Sequence, residues 1–155
     1  MPIVTVHKLA STDEQLMEHI ADWYLNEWAI PRDRTISRLA NHPNDDVLFQ
    51  LILKEDGVPV ATGGLYNNVG LLQKHQIYQK LKPWVALLYT DMGYRSKGFG
   101  TKLLDEIQNM AREIIIPKLY LYTFTAEAFY VRNGWAEMDR VKYNGHDTVI
   151  MRKEV

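Results

Sequence analysis

Cysteine is absent from this 155-residue chain. That excludes a thiolate nucleophile, a Cys-ligated zinc or iron–sulfur site and any disulfide framework, and it makes a reducing compartment, the cytoplasm, the expected location. Charge of one sign is lacking as well: 18 Lys and Arg stand against 19 Asp and Glu, for a formal net charge of -1. Without a basic field, nucleic acid is not an expected partner. Long hydrophobic runs are missing. The longest, such as Trp84 to Tyr89, fall far short of the roughly 20 residues that span a bilayer. The opening residues, Met-Pro-Ile-Val-Thr-Val-His, lack the charged start, apolar core and small-residue cleavage site of an export signal, so no membrane association is expected. His7, His19, His42, His75 and His146 are scattered without the helical pair spacing of a metal site, and no metal is expected. Internal repeats, low-complexity tracts and Ser/Gly linkers are absent too, which leaves one domain over residues 1–155.

What is present is an ordinary globular composition, 46% hydrophobic and 24% charged. A chain of this length buries roughly two thirds of the surface its unfolded form exposes, enough for a core without staples. Ile3 to Lys8 alternates apolar and polar residues and predicts a strand. Ser11 and Glu14 have capping-box spacing, and Leu16, Ile20, Trp23/Tyr24 and Trp28 recur at helical intervals, predicting a helix from about Thr12 to Trp28. The polar stretch Arg32 to Asp46 has room for a short helix ending before His42-Pro43. Val47 to Lys54 and Val58 to Tyr66 flank Glu55-Asp56-Gly57 and read as a hairpin. Asn67 to Pro83 has no clean strand pattern and reads as a long loop or a short surface helix. Trp84 to Thr90 reads as a strand buried on two faces, and Phe99, Leu103, Ile107, Met110 and Ile114 mark one face of a helix that Pro117 stops. Leu119 to Thr123 is a strand, and Thr125 to Asn133 a short helix closed by Gly134. Two final strands, Trp135 to Tyr143 and His146 to Lys153, are joined by Asn144-Gly145. The order β, α, (α), β, β, β, α, β, α, β, β predicts an α/β (α+β) fold, a mixed sheet covered by helices.

The informative stretch runs from Leu87 to Thr101: a strand, a turn and the start of a helix. Such a turn aims backbone N–H groups at one spot, and the helix N-terminus adds roughly half a positive charge, so a phosphate can bind there. A Walker A loop is excluded, because Gly93-x4-Gly98 is followed by Phe99-Gly100 instead of Lys and Ser or Thr. A Rossmann fingerprint fails at Leu103, where its third glycine or alanine belongs. What remains is Arg-x-x-Gly-x-Gly at Arg95, Gly98 and Gly100. A turn from strand to helix also uses glycine for purely structural reasons. Thr123 to Trp135 adds a short helix carrying Phe129-Tyr130 and ending at Gly134-Trp135.

These two motifs, in this order and joined by a helix and a strand, resemble those of the GNAT superfamily of N-acetyltransferases. The resemblance covers residues 84 to 153 specifically and the N-terminal half by element order alone. It implies a central mixed, mostly antiparallel twisted sheet of about seven strands flanked by about four helices. It also implies acetyl-coenzyme A as co-substrate, a primary amine on a small molecule or peptide as acceptor, and direct attack in a ternary complex. The missing cysteine fits that route, since it excludes a covalent cysteine intermediate. Tyr130 is then the expected general acid, the alternative being a tyrosine that only packs against the co-substrate. Main-chain groups of Leu88, Tyr89 and Thr90 are expected to pair with the pantetheine arm. The turn Arg95, Ser96, Lys97, Gly98, Phe99, Gly100 and Thr101 is expected to hold the pyrophosphate, with Thr123 as a further contact.

The family pattern breaks at the general base, because Val85-Ala86-Leu87-Leu88-Tyr89 carries no carboxylate. Glu27, Asp91, His75 and water remain open for that role. The missing carboxylate leaves a second class of function standing, a non-catalytic acyl-coenzyme A-binding or sensing module of the same fold. The acceptor cleft is expected between Trp23 to Arg38 and Asn67 to Trp84, where Arg32, Arg34 and Arg38 either meet an acidic acceptor or are simply solvated. Monomer and homodimer are equally compatible with the sequence.

Overall fold

The structure is a computed structural model describing residues 1–155. Seven strands, β1 (Val4–Lys8), β2 (Val47–Glu55), β3 (Val58–Tyr66), β4 (Trp84–Thr90), β5 (Lys118–Thr123), β6 (Ala136–Tyr143) and β7 (His146–Glu154), form one sheet in the order β1-β2-β3-β4-β5-β7-β6. Only β4 and β5 run parallel; every other neighbouring pair is antiparallel. The helices are α1 (Glu14–Trp28), α2 (Arg32–Ala40), α3 (Leu71–Lys74), α4 (Phe99–Glu113) and α5 (Glu127–Arg132). The expected fold class is thus the observed one. The helix count is one higher than about four, because Asn67 to Pro83, open to both a loop and a short surface helix, holds α3 and a 3-10 turn at Gln76–Tyr78.

Alternation along β2 distributes the core. Phe49, Leu51 and Leu53 face α4, packing with Leu103, Leu104, Ile107 and Ala111. Ile52 points the other way, into Leu16, Met17, Ile20, Trp23 and Tyr24 of α1 and Leu39 of α2. Strands covered on both faces read as nearly unbroken apolar runs, as β2 does. Both expected tight turns are present. Asp56-Gly57 and Asn144-Gly145 have positive φ at both positions (51° and 81°; 50° and 80°), the conformation a two-residue hairpin requires.

Helix α1 starts later than its sequence suggests. Asp13, and not Ser11, is the cap: its carboxylate accepts the Leu16 N–H at 3.2 Å. Capping by the residue next to the first turn satisfies a donor that Ser11, two residues too early, does not reach.

Strand β4 departs from two-face burial at its middle, where Ala86, Leu87 and Leu88 are half-buried. The pairing with β3 passes from Gly64↔Ala86 to Thr62↔Tyr89, so Leu87 and Leu88 together face Gly63. This is a β-bulge, and Leu87 sits in the left-handed region at φ 57°. Past the bulge, β4 and β5 separate: the two strands share a single register pair, Trp84↔Tyr120.

Candidate active site

The divergence of β4 from β5 opens a cavity of about 730 Å³. One wall is the bulge, Val85 to Leu88. Opposite lie the end of β5 and the start of α5, Tyr122 to Ala126 and Tyr130. The C-terminal end of α1, the first turns of α2 and the β6–β7 turn complete it.

A buried polar network fixes the bulge. The Tyr24 hydroxyl donates to the Leu87 carbonyl at 2.8 Å and accepts from the Gln50 amide at 3.0 Å. The same amide donates to Thr62 Oγ1 at 2.8 Å, and Tyr66 donates to Gln50 Oε1 at 2.6 Å. Gly64 makes room for this: a Cβ there would lie 2.4 Å from the Tyr66 ring and 2.5 Å from Gln50 Oε1. Burial pushes the Tyr24 and Tyr66 hydroxyls well above their ordinary range, so both remain neutral donors. No part of this network was legible from motifs, since it depends on which strands pair.

Tyr130, on α5, is 9 % exposed and borders the cavity. Burial pushes its hydroxyl up to about 12. It is therefore protonated at neutral pH, the state in which it can donate.

The turn after β4 is built as the sequence suggests, with one change in emphasis. Gly98 caps α4 at φ 81°, a conformation glycine adopts without strain. No protein group accepts the N–H groups of Ser96, Lys97, Gly98, Phe99, Gly100 or Thr101, the first acceptor being the Gly98 carbonyl for Lys102. The side chains face elsewhere. Arg95 donates through Nε to the Thr90 carbonyl at 2.8 Å and meets Glu27 at 3.4 Å, while Lys97 lies 3.9 Å from Glu55. Phe99 is buried in the core. The anion-binding potential of this turn resides in its main chain.

Leu88 lines the cavity, whereas the Tyr89 ring packs on Trp23 at 5.3 Å and on Trp28 at 6.1 Å. Thr123 borders the cavity, and its hydroxyl accepts the N–H groups of Thr125 and Ala126, shaping the entry to α5.

The three side chains considered as a base are not together. Glu27 borders the cavity. Asp91 starts the 3-10 turn at Met92–Tyr94, its carbonyl accepting the Tyr94 N–H at 2.9 Å. His75 is bound at 2.7 Å to the Lys142 carbonyl. Neither Asp91 nor His75 lines the cavity. Of the two segments expected to line an acceptor cleft, Trp23 to Arg38 gives this cavity Tyr24, residues 26–31, Arg34, Thr35 and Arg38, and Asn67 to Trp84 gives it only Val69 and Gly70. The aromatic remainder, Tyr66, Tyr122, Phe124 and Tyr143 with His146, comes from strands and from the last hairpin, whose turn sequence predicts its shape and not where it docks.

The described residues contain no grouping of side chains suited to a metal ion and no helix long and apolar enough to cross a membrane. No curated protein matches the sequence. Solved structures do match over nearly the whole chain. An aminoglycoside 6'-N-acetyltransferase complexed with coenzyme A superimposes with a TM-score of 0.77 at 11% identity, covering 97% of this chain and 96% of that one. Ard1 from Thermoplasma volcanium gives 0.72 at 18% identity, with 98% and 97% covered. The PaiA N-acetyltransferase from Thermoplasma acidophilum, in complex with coenzyme A, gives 0.70 at 18% identity, with 99% of each chain covered. At these identities the likeness is one of fold. The family model for the acetyltransferase (GNAT) family matches residues 14–135, from the first turn of α1 through the Gly134-Trp135 end of the second motif, and the chain belongs to that family.

Proposed function

We propose that this protein is an acetyl-coenzyme A-dependent N-acetyltransferase that acetylates a primary amine by direct attack in a ternary complex. The observation that carries the reading is the junction of three features. A bulged strand diverges from its parallel neighbour, a turn with unpartnered N–H groups follows that strand, and a buried tyrosine borders the opening between the strands. The fit to the co-substrate rests on the same turn. Its donors from Ser96 through Thr101 have no acceptor within the protein, and they sit at the positive end of α4.

When bound, acetyl-coenzyme A supplies the thioester carbonyl and the leaving sulfur. The main chain from Ser96 to Thr101 would hold its pyrophosphate. Main-chain groups of Leu88 to Thr90, displaced from β5 by the bulge, would pair with the pantetheine arm, and an N–H there would polarise the carbonyl. The Thr90 carbonyl also accepts from Arg95 at 2.8 Å. Tyr130, which borders the cavity, would donate its hydroxyl proton to the departing sulfur. Of the side-chain base candidates only Glu27 borders the cavity, and we assign it to take the amine proton.

The test is calorimetric titration with acetyl-coenzyme A, with ATP and NAD as controls, followed by an amine panel scored for released thiol. Micromolar affinity for acetyl-coenzyme A and turnover on a panel member are expected. In Tyr130→Phe the affinity should persist while kcat falls about a hundredfold, within the usual range for losing a general acid. Affinity without turnover on any amine would favour the non-catalytic sensing module. No affinity would refute the assignment.

A further inference from the structure

Three arginines project from α2, and the structure gives two of them structural partners. Arg32 pairs with Asp22 and so ties α2 to α1. Arg38 grips Asp46 through two hydrogen bonds of 2.8 Å, donates to the Asn68 carbonyl and lies 4.4 Å from the centre of the Tyr66 ring. Arg34, between them, borders the cavity and has neither an ion-pair nor a hydrogen-bond partner.

The neighbouring residue points to the same spot. Thr35 is only 6 % exposed, borders the cavity, and its hydroxyl makes no hydrogen bond. The fully occluded, unpartnered side-chain atoms of the protein are Gln108 Nε2 and Trp135 Nε1 alone. The Thr35 hydroxyl therefore reaches open space, and the open space beside Thr35 is this cavity. A hydroxyl that opens on a cavity without a protein partner is free to bond a ligand or water there. The first turn of α2 adds its positive end at the same place, offset in part by its own Asp33: Pro31 is the cap and supplies no side-chain acceptor.

The remaining charges of the cavity wall are accounted for. Glu27, its single carboxylate, faces Arg95 at 3.4 Å. His146 stacks on Phe124 with ring centres 4.1 Å apart. The cavity thus offers one free cation and no free anion. A polycationic amine would find no counter-charge there beyond a carboxylate already paired, whereas an anionic group would find a guanidinium, a hydroxyl and a helix terminus together. A guanidinium pairs with a carboxylate through strong, often bidentate charge-assisted hydrogen bonds, and a carboxylate is the anion an amine acceptor commonly carries.

On these grounds we infer that the acceptor is an amine bearing a carboxylate, which Arg34 and Thr35 bind at the first turn of α2. This rests on the acyl-transfer reading of the same cavity and names its acceptor class. Both a free acidic amino acid and the acidic end of a peptide carry that chemistry, so the assay includes both.

Thiol release from acetyl-coenzyme A is measured with aspartyl-alanine amide, asparaginyl-alanine amide, free aspartate and spermidine. Aspartyl-alanine amide or free aspartate should exceed asparaginyl-alanine amide at least tenfold in kcat/KM. Preference for free aspartate marks a metabolite and preference for the dipeptide marks a chain end. Arg34→Gln should bring the charged-to-uncharged ratio near one, chiefly through KM, with acetyl-coenzyme A affinity retained as the sign of an intact fold. Thr35→Val should lower the ratio severalfold. An equal rate on the asparaginyl compound, a preference for spermidine, or a ratio unchanged in Arg34→Gln would overturn the inference. So would wild-type protein that is saturated with coenzyme A and shows no calorimetric binding of either acidic probe. Failure to bind acetyl-coenzyme A at all would instead strike the acyl-transfer reading.

Discussion

Tyr24→Phe removes one oxygen and leaves two groups without their partner. The hydroxyl donates to the Leu87 carbonyl at 2.8 Å and accepts one N–H of Gln50 at 3.0 Å, and that amide is fully buried between β2 and β3. Each hydrogen bond lost contributes about 1 kcal/mol, and a buried donor left unsatisfied costs about 1–3 kcal/mol. The Leu87 carbonyl faces the cavity wall and recovers part of its loss from water, so the expected destabilisation is about 2–3 kcal/mol. In a protein of 155 residues this lowers the melting temperature by about 5–10 °C. Thermal unfolding followed by circular dichroism, with Gln50→Leu and the double variant completing a cycle, measures the coupling. Because both side chains belong to one network, the double variant should lose about 1 kcal/mol less than the sum of the single losses. Additive losses, or a Tyr24→Phe protein as stable as the parent, would refute the claim that this hydroxyl clamps the bulge.

Three further outcomes are expected. Asp13→Ala should cost about 1 kcal/mol in chemical denaturation while Ser11→Ala changes little, because Asp13 alone caps α1. Gly98→Ala should weaken acetyl-coenzyme A binding in a calorimetric titration and destabilise the fold by about 1 kcal/mol, since φ there is 81° although a Cβ meets nothing within 4 Å. The Tyr78 hydroxyl donates to Asp139 and holds that carboxyl below its ordinary range. A lowered folded value means stability that is complete above the unfolded carboxylate range, near pH 4, and lost as pH falls through the folded value. Asp139→Asn should flatten that acid limb in a melting-temperature profile; an unchanged limb would refute the assignment.

Features with a local cause could be read from the chain. Asp56-Gly57 and Asn144-Gly145 announce their hairpins because positive φ at two successive residues suits few other pairs. The apolar spacing of Phe99, Leu103 and Ile107 sets the buried face of α4 without help from elsewhere. What stayed hidden depends on distant partners. The bulge needs Gly63 opposite it and Tyr24 behind it, and neither spacing nor composition of Trp84 to Thr90 encodes them. The insertion of β7 between β5 and β6 brings Tyr143 and His146 to the cavity, a consequence of sheet order. The unpaired state of Arg34 was equally invisible: three similar arginines in the sequence differ only in what α2 packs against. The short α3 could not be told from a loop, because four residues are too few for a periodic signal.

The single residue pair joining β4 to β5 also makes the sheet a pair of leaves, β1 to β4 and β5 to β7, hinged at Trp84 and Tyr120. Beyond that pair the facing edges of β4 and β5 share no ladder. Sheet edges ordinarily invite aggregation and are shielded by charge or proline. In the proposed complex the extended, amide-bearing arm of the co-substrate would enter this gap as a partial eighth strand and cover those edges. Its arrival would stitch the leaves together, so occupancy should slow amide exchange along both lips of the seam before it changes anything on the outer strands.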